Sequence, residues 1–89
     1  LIGRNGTGSN HLRDCLVDEL AIFDSDQSAN ISDIYNSGVT HDLELLANPP
    51  MHWYRMGDGD TFPTLQDNIG STDMTMYNMT VADIVSDVP

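Results

Sequence analysis

Acidic side chains dominate the residues that could do chemistry in this chain. Asp58, Asp60 and Asp67, with Asn68 beside the last, sit in two turn-like stretches, Met56-Gly57-Asp58-Gly59-Asp60 and Asp67-Asn68-Ile69-Gly70. Carboxylate and amide oxygens on glycine-rich turns are the hard donors that Ca²⁺ takes. Convergence of Asp58, Asp60 and Asp67 on calcium is one reading. The other is turn-forming and capping carboxylates, the commoner use of Asp in loops. An EF-hand is excluded, because Asp58-Gly59-Asp60 lacks the Glu at that loop's twelfth position.

Aromatic residues offer a second kind of contact. Trp53, Tyr54 and Tyr77 carry apolar ring faces that could stack on sugars, although a Trp on a short strand is more often a core anchor. His11, His41 and His52 are scattered, with no spacing that indicates zinc. Arg55 stands among acids, with Asp58 its nearest candidate partner. Asp18 and Glu19 are adjacent, so on a strand they point to opposite faces and cannot work as a carboxylate pair on one glycoside. No nucleophile elbow or phosphate loop is present; Gly3, Gly6 and Gly8 have the wrong spacing and context for a dinucleotide fingerprint. The sequence reads as non-enzymatic.

The elements that must position these residues are short. A chain of 89 residues is enough for one small, thin-cored domain, and its apolar share is 39%. Leu12 to Phe23 reads as the main strand, with Cys15, Val17, Ala21 and Phe23 on one face and Leu16, Leu20 and Ile22 on the other. Two apolar faces imply a strand between layers. Cys15, the lone cysteine, is then a buried, inert thiol. Ser28 is a natural N-cap for a short helix presenting Ile31, Ile34 and Tyr35, with Gly38 as its stop. A second helical turn is expected within Thr40 to Ala47, before Asn48-Pro49-Pro50 breaks it. His52 to Met56 and Asp73 to Met79 read as strands, the latter with Met74 and Met76 on one face and Thr75, Tyr77 and Met79 on the other. Thr64 to Asp67 is expected to be extended, Thr80 to Val85 to make one helical turn, and residues 1–10 to form a loop.

The charge bounds the partners. With 14 acids against 3 bases the formal charge is −11, which repels nucleic acid and anionic membranes. No stretch approaches the ~18 apolar residues of a membrane span, and no signal peptide is visible. The chain begins at Leu1 rather than Met, as a fragment or processed product would.

Two stretches together resemble a known family. Leu16-Val17-Asp18-Glu19-Leu20-Ala21-Ile22-Phe23-Asp24, followed by Ser28 and Ile31-Ser32-Asp33-Ile34-Tyr35-Asn36, resembles the closing strand and plug helix of laminin-G-like, concanavalin A-like jelly rolls. Trp53-Tyr54-Arg55-Met56-Gly57-Asp58-Gly59, with Asp67-Asn68-Ile69-Gly70 and Met74 to Met79, resembles the opening of the same kind of domain, as found in marine phage structural proteins. Ala29-Asn30 departs from the family's longer acidic first turn, and closing elements precede opening ones.

The resemblance implies a mainly β fold: a partial antiparallel β-sandwich (jelly roll) with one or two short helices, over residues 1–89 as a single partial module with a sub-boundary near 39–51. A whole domain of this kind needs about twice the length. The resemblance also adds Asp18 to the calcium candidates Asp58, Asp60 and Asp67, and glycan stacking to Trp53 and Tyr77. The expected function is a structural or assembly module at a virion or extracellular surface, partnered by copies of itself or neighbouring subunits. The alternative is a calcium-assisted glycan-binding adhesin. Burial of Trp53 would separate the two.

Overall fold

A computed structural model describes residues 15–85. The loop expected over residues 1–10, the first residues of the long strand, and His11 lie outside the described residues. Within them the fold is small and mixed: two antiparallel two-stranded sheets and one short α-helix, joined by turns. No described helix is long and apolar enough to cross a membrane.

The first sheet pairs β1 (Leu20–Ile22) with β2 (His52–Tyr54), in the register Leu20 to Tyr54, Ala21 to Trp53 and Ile22 to His52. β1 is far shorter than the strand expected from Leu12 to Phe23. Glu19 explains the difference: its φ of 50° is left-handed, so the backbone cannot continue an extended run through it. Leu16 and Val17 fall before that break and are 60% and 45% exposed, so they form no interior layer. Cys15 is exposed as well, against the expectation of a buried thiol, because the strand that was to carry it inward begins only at Leu20.

Between the two strands the chain makes α1 (Ile31–Tyr35), preceded by a 3₁₀ turn at Ser28–Asn30. The expected Ser28 hydroxyl cap is replaced by Asp26, whose Oδ1 accepts from the Ser28 N–H at 2.9 Å. The helix ends at Tyr35, three residues before Gly38, since Asn36 already turns left-handed (φ 46°), a conformation Asn tolerates, and a kinked 3₁₀ turn over Asn36–Gly38 follows. Ile31 and Tyr35 stay exposed and Ile34 is half-buried, so α1 covers no apolar layer among the described residues. The next helical turn is 3₁₀, Leu43–Leu45, capped by the Asp42 carboxylate on the Glu44 N–H, and it buries Leu43.

The second sheet pairs β3 (Thr64–Leu65) with β4 (Met74–Thr75). β4 covers only Met74–Thr75 of the strand expected from Asp73 to Met79, while the expected alternation of burial extends past it: Met76 is buried and Met74 half-buried, and Thr75, Tyr77 and Met79 are exposed. The expected C-terminal turn is the 3₁₀ turn Val81–Asp83, with a capping box between Thr80 and Asp83. Ile84 then packs on the loop after β2, where a Cβ on Gly57 would come within 2.7 Å of its side chain. The apolar core is Leu43, Trp53, Tyr54 and Met76.

Candidate functional site

Alternation along β2 sends His52 and Tyr54 to one face and Trp53 and Arg55 to the other. Each face meets a carboxylate. On the first, Asp67 is buried at 4% exposure and is the only buried charged side chain among the described residues. Its Oδ2 accepts from His52 Nδ1 at 2.6 Å and from the Thr72 N–H at 3.2 Å. Its Oδ1 accepts from the N–H groups of Trp53 (3.2 Å), Ile69 (3.2 Å) and Gly70 (2.9 Å).

One carboxylate thus ties β2 to the whole 67–72 loop. The Tyr54 hydroxyl donates to the Thr72 carbonyl at 2.6 Å, and Asp73 Oδ1 accepts from the Asp67 N–H at 2.9 Å. Burial raises the pKa of the Asp67 carboxyl, but the His52 bond and the N–H groups of Gly70, Trp53 and Ile69 outweigh it and hold it well below its ordinary 3.8. The Tyr54 hydroxyl shifts the other way, through burial first and then the charges of Asp67 and Asp73.

Gly70 makes the close approach possible. A Cβ there would stand 2.6 Å from Asp67 Oδ2 and 3.0 Å from His52 Nδ1. Asp67 itself pairs in a single antiparallel bridge with Tyr54, and the Asn68 N–H donates to the Trp53 carbonyl at 2.8 Å. The backbone groups of Trp53 therefore face the 67–68 segment. By the alternation of an antiparallel ladder, His52 and Tyr54 face β1, and the N–H and C=O of Ala21 point to β1's outer edge.

On the opposite face, Glu19 Oε2 accepts from the Trp53 indole Nε1 at 2.6 Å, and Glu19 Oε1 lies 3.5 Å from Arg55 Nε. The Arg55 guanidinium sits 5.6 Å from the Trp53 ring centroid and donates through Nη2 to Asp58 at 3.2 Å. The left-handed Glu19 turn thus aims a carboxylate at the indole and the guanidinium together.

The candidate calcium ligands are not gathered. Among the described residues, no group of three or more His, Cys, Asp or Glu side chains could hold a metal ion. Asp58 binds Arg55, as its proximity in the chain suggested. Asp60 accepts from the N–H groups of Gly57 (2.9 Å) and Gln66 (2.8 Å), closing its own turn. Asp67 is enclosed by five donors, and the Asn68 amide donates to the Trp53 and Gln66 carbonyls. Asp18 is half-buried just before β1.

The proposed stacking pair is also split: Trp53 is 6% exposed, its indole anchored by Glu19, while Tyr77 is 78% exposed. Sequence reasoning missed His52 and Glu19 as the partners of these sites. The period-two pattern of β2, with His and Trp on opposite faces, was the signal available for both. An imidazole held at Nδ1 by a carboxylate resembles the orienting half of a nucleophilic site, but no hydroxyl or thiol is hydrogen-bonded to His52 among the described residues.

Comparison with known proteins yields no match to a protein-family model, a curated protein or a solved structure.

Proposed function

We propose that this chain is a non-enzymatic assembly module of a virion or extracellular surface protein. On this reading it is part of a laminin-G-like sandwich that other protein chain completes. The observation that carries the reading is the imbalance around β1. Leu16, Val17 and Ile22 are 60%, 45% and 43% exposed beside a strand with no partner on its outer edge among the described residues. Open edges and exposed apolar side chains are features that protein contacts cover.

The glycan-binding alternative needed Trp53 and Tyr77 accessible together, and the burial of Trp53 weighs against it. A photo-crosslinking leucine analogue at Leu16, incorporated in the cell that produces the protein, tests the proposal. Adducts to protein are expected, and an absence of protein adducts, or adducts to glycan, overturns it.

A further inference from the structure

The turn after β2, Met56-Gly57-Asp58-Gly59-Asp60, is hydrogen-bonded on both sides of one peptide link and not at it. The Asp58 N–H donates to the Arg55 carbonyl at 3.4 Å, and the Asp60 N–H donates to the Gly57 carbonyl at 3.2 Å. The Asp60 carboxylate accepts from the N–H groups of Gly57 and Gln66. Between these contacts, the Asp58 carbonyl and the Gly59 N–H have no hydrogen-bond partner among the described residues. Both residues are exposed, and a Cβ built on Gly59 would meet nothing within 4 Å.

Asp58-Gly59 is the one Asp-Gly step of the chain. Glycine brings no side chain to shield its nitrogen and leaves the backbone free to rotate toward its neighbour. From this juxtaposition we infer that Asp58 is a site of spontaneous backbone modification, converting to isoaspartate through a cyclic imide formed with Gly59. The Gly59 nitrogen attacks Cγ of Asp58 in its acid form. A C–N bond forms, the C–OH bond breaks, and the amide proton leaves with the hydroxyl as water. Water then opens the five-membered ring. Addition at Cγ restores Asp58, whereas addition at the original backbone carbonyl carries the main chain onward through Cγ. The water lost in closure is returned on opening, and nothing is oxidised or reduced. The inference is independent of the assembly reading.

The neighbouring carboxylates lack this combination. Asp60 precedes Thr61, and both of its oxygens accept backbone N–H groups. Asp67 precedes Asn68 and is enclosed by five donors. The Asp58 side chain is 59% exposed, and its one partner among the described residues is Arg55, which donates to Oδ2 at 3.2 Å. Conversion adds a methylene to the main chain inside the turn and replaces the side-chain carboxylate with a shorter one. Arg55 then loses the Asp58 contact and keeps Glu19 and the Trp53 ring. The modification thus reaches the Trp53 face of β2.

The test warms the folded 89-residue chain at mildly acidic pH and digests it with an endoproteinase that cuts before Asp and not before isoaspartate. Cleavage before Asp58 is expected to be lost progressively, leaving an uncut peptide of residues 42–59 with unchanged mass. That peptide should accept a methyl group from S-adenosylmethionine through isoaspartyl methyltransferase. Asp58→Glu would need a six-membered ring and is expected to lose methyl acceptance in this segment. Asp58→Asn closes the same ring with loss of ammonia and should convert faster than the unaltered chain. Persistent cleavage before Asp58 in the folded chain overturns the inference. Conversion of Asp58→Asn in urea alone does so too, since the folded turn would then hold the Gly59 nitrogen away from Cγ. Isoaspartate arising first at another described Asp also overturns it. None of these outcomes touches the assembly reading.

Discussion

β2 and β1 lie side by side in one sheet, yet they are stabilised in opposite ways. β2 is held from both faces: Asp67 gathers His52, Trp53 and the following loop on one side, and Glu19 anchors the Trp53 indole on the other. β1 pairs with β2 and accepts one further bond from the Met51 N–H at its Ile22 carbonyl, its outer edge has no strand beside it among the described residues, and Leu16, Val17 and Ile22 are exposed. A single buried carboxylate with five donors can order a polar loop that has almost no apolar core. Exposed apolar side chains, which bury no surface, cannot do the same for β1. Among the described residues, the Asp67 carboxylate is matched by five donors, while the outer edge of β1 has no strand beside it.

The contrast breaks most readily at the carboxylate. Asp67→Ala leaves four backbone N–H groups and an imidazole without their acceptor. The cost should be about 3–5 kcal/mol, as for other buried networks, and most of the folded population should be lost in a urea titration followed by tryptophan fluorescence. Gly70→Ala forces a methyl into the Asp67–His52 contact and should cost about 1–3 kcal/mol, visible in the same titration. Trp53→Phe keeps an aromatic ring but removes the donor to Glu19, and with it the one tryptophan of the chain, so this variant is followed by circular dichroism instead. A loss of about 1–2 kcal/mol is expected, of which Glu19→Gln should reproduce only part, since an amide oxygen still accepts. On the β1 side, Leu16→Ser should change the stability of the isolated chain by less than about 0.5 kcal/mol, because it removes no buried contact.

The same contrast has a pH signature. The folded Asp67 carboxyl lies below its ordinary 3.8, so its contribution is fully present above that value. As the pH falls from there toward the depressed folded value, the contribution is lost, and the melting temperature should drop with it. In Asp67→Asn that portion of the acid dependence should disappear, which a melting series in acid checks directly.

Much of the outline was legible in the sequence, for identifiable reasons. The alternation of Met74, Thr75, Met76 and Tyr77 gave the buried and exposed sides of β4 and of the two residues after it, and Asn48-Pro49-Pro50 and Asp67-Asn68-Ile69-Gly70 were read as a break and a turn. Arg55 and Asp58 are close enough in the chain for their pairing to be foreseen. The buried role of Asp67 was not legible, because its partners His52 and Trp53 lie 15 and 14 residues away and a turn-forming Asp has the same local pattern as a solvated one. The long strand failed for a different reason. Apolar residues from Leu16 to Phe23 fit a two-faced strand, and nothing in residue type marks Glu19 as left-handed. Its reach to Trp53 and Arg55 supplies that preference from across the fold.

Native-state hydrogen exchange on the isolated 89-residue chain compares the two regions most directly. The account predicts that the amides of Trp53, Gly70 and Thr72, bound to Asp67, exchange slowest, while the Ala21 amide exchanges orders of magnitude faster. Equal protection at Ala21 and at the Asp67-bound amides would contradict it, since the β1 edge would then already be covered.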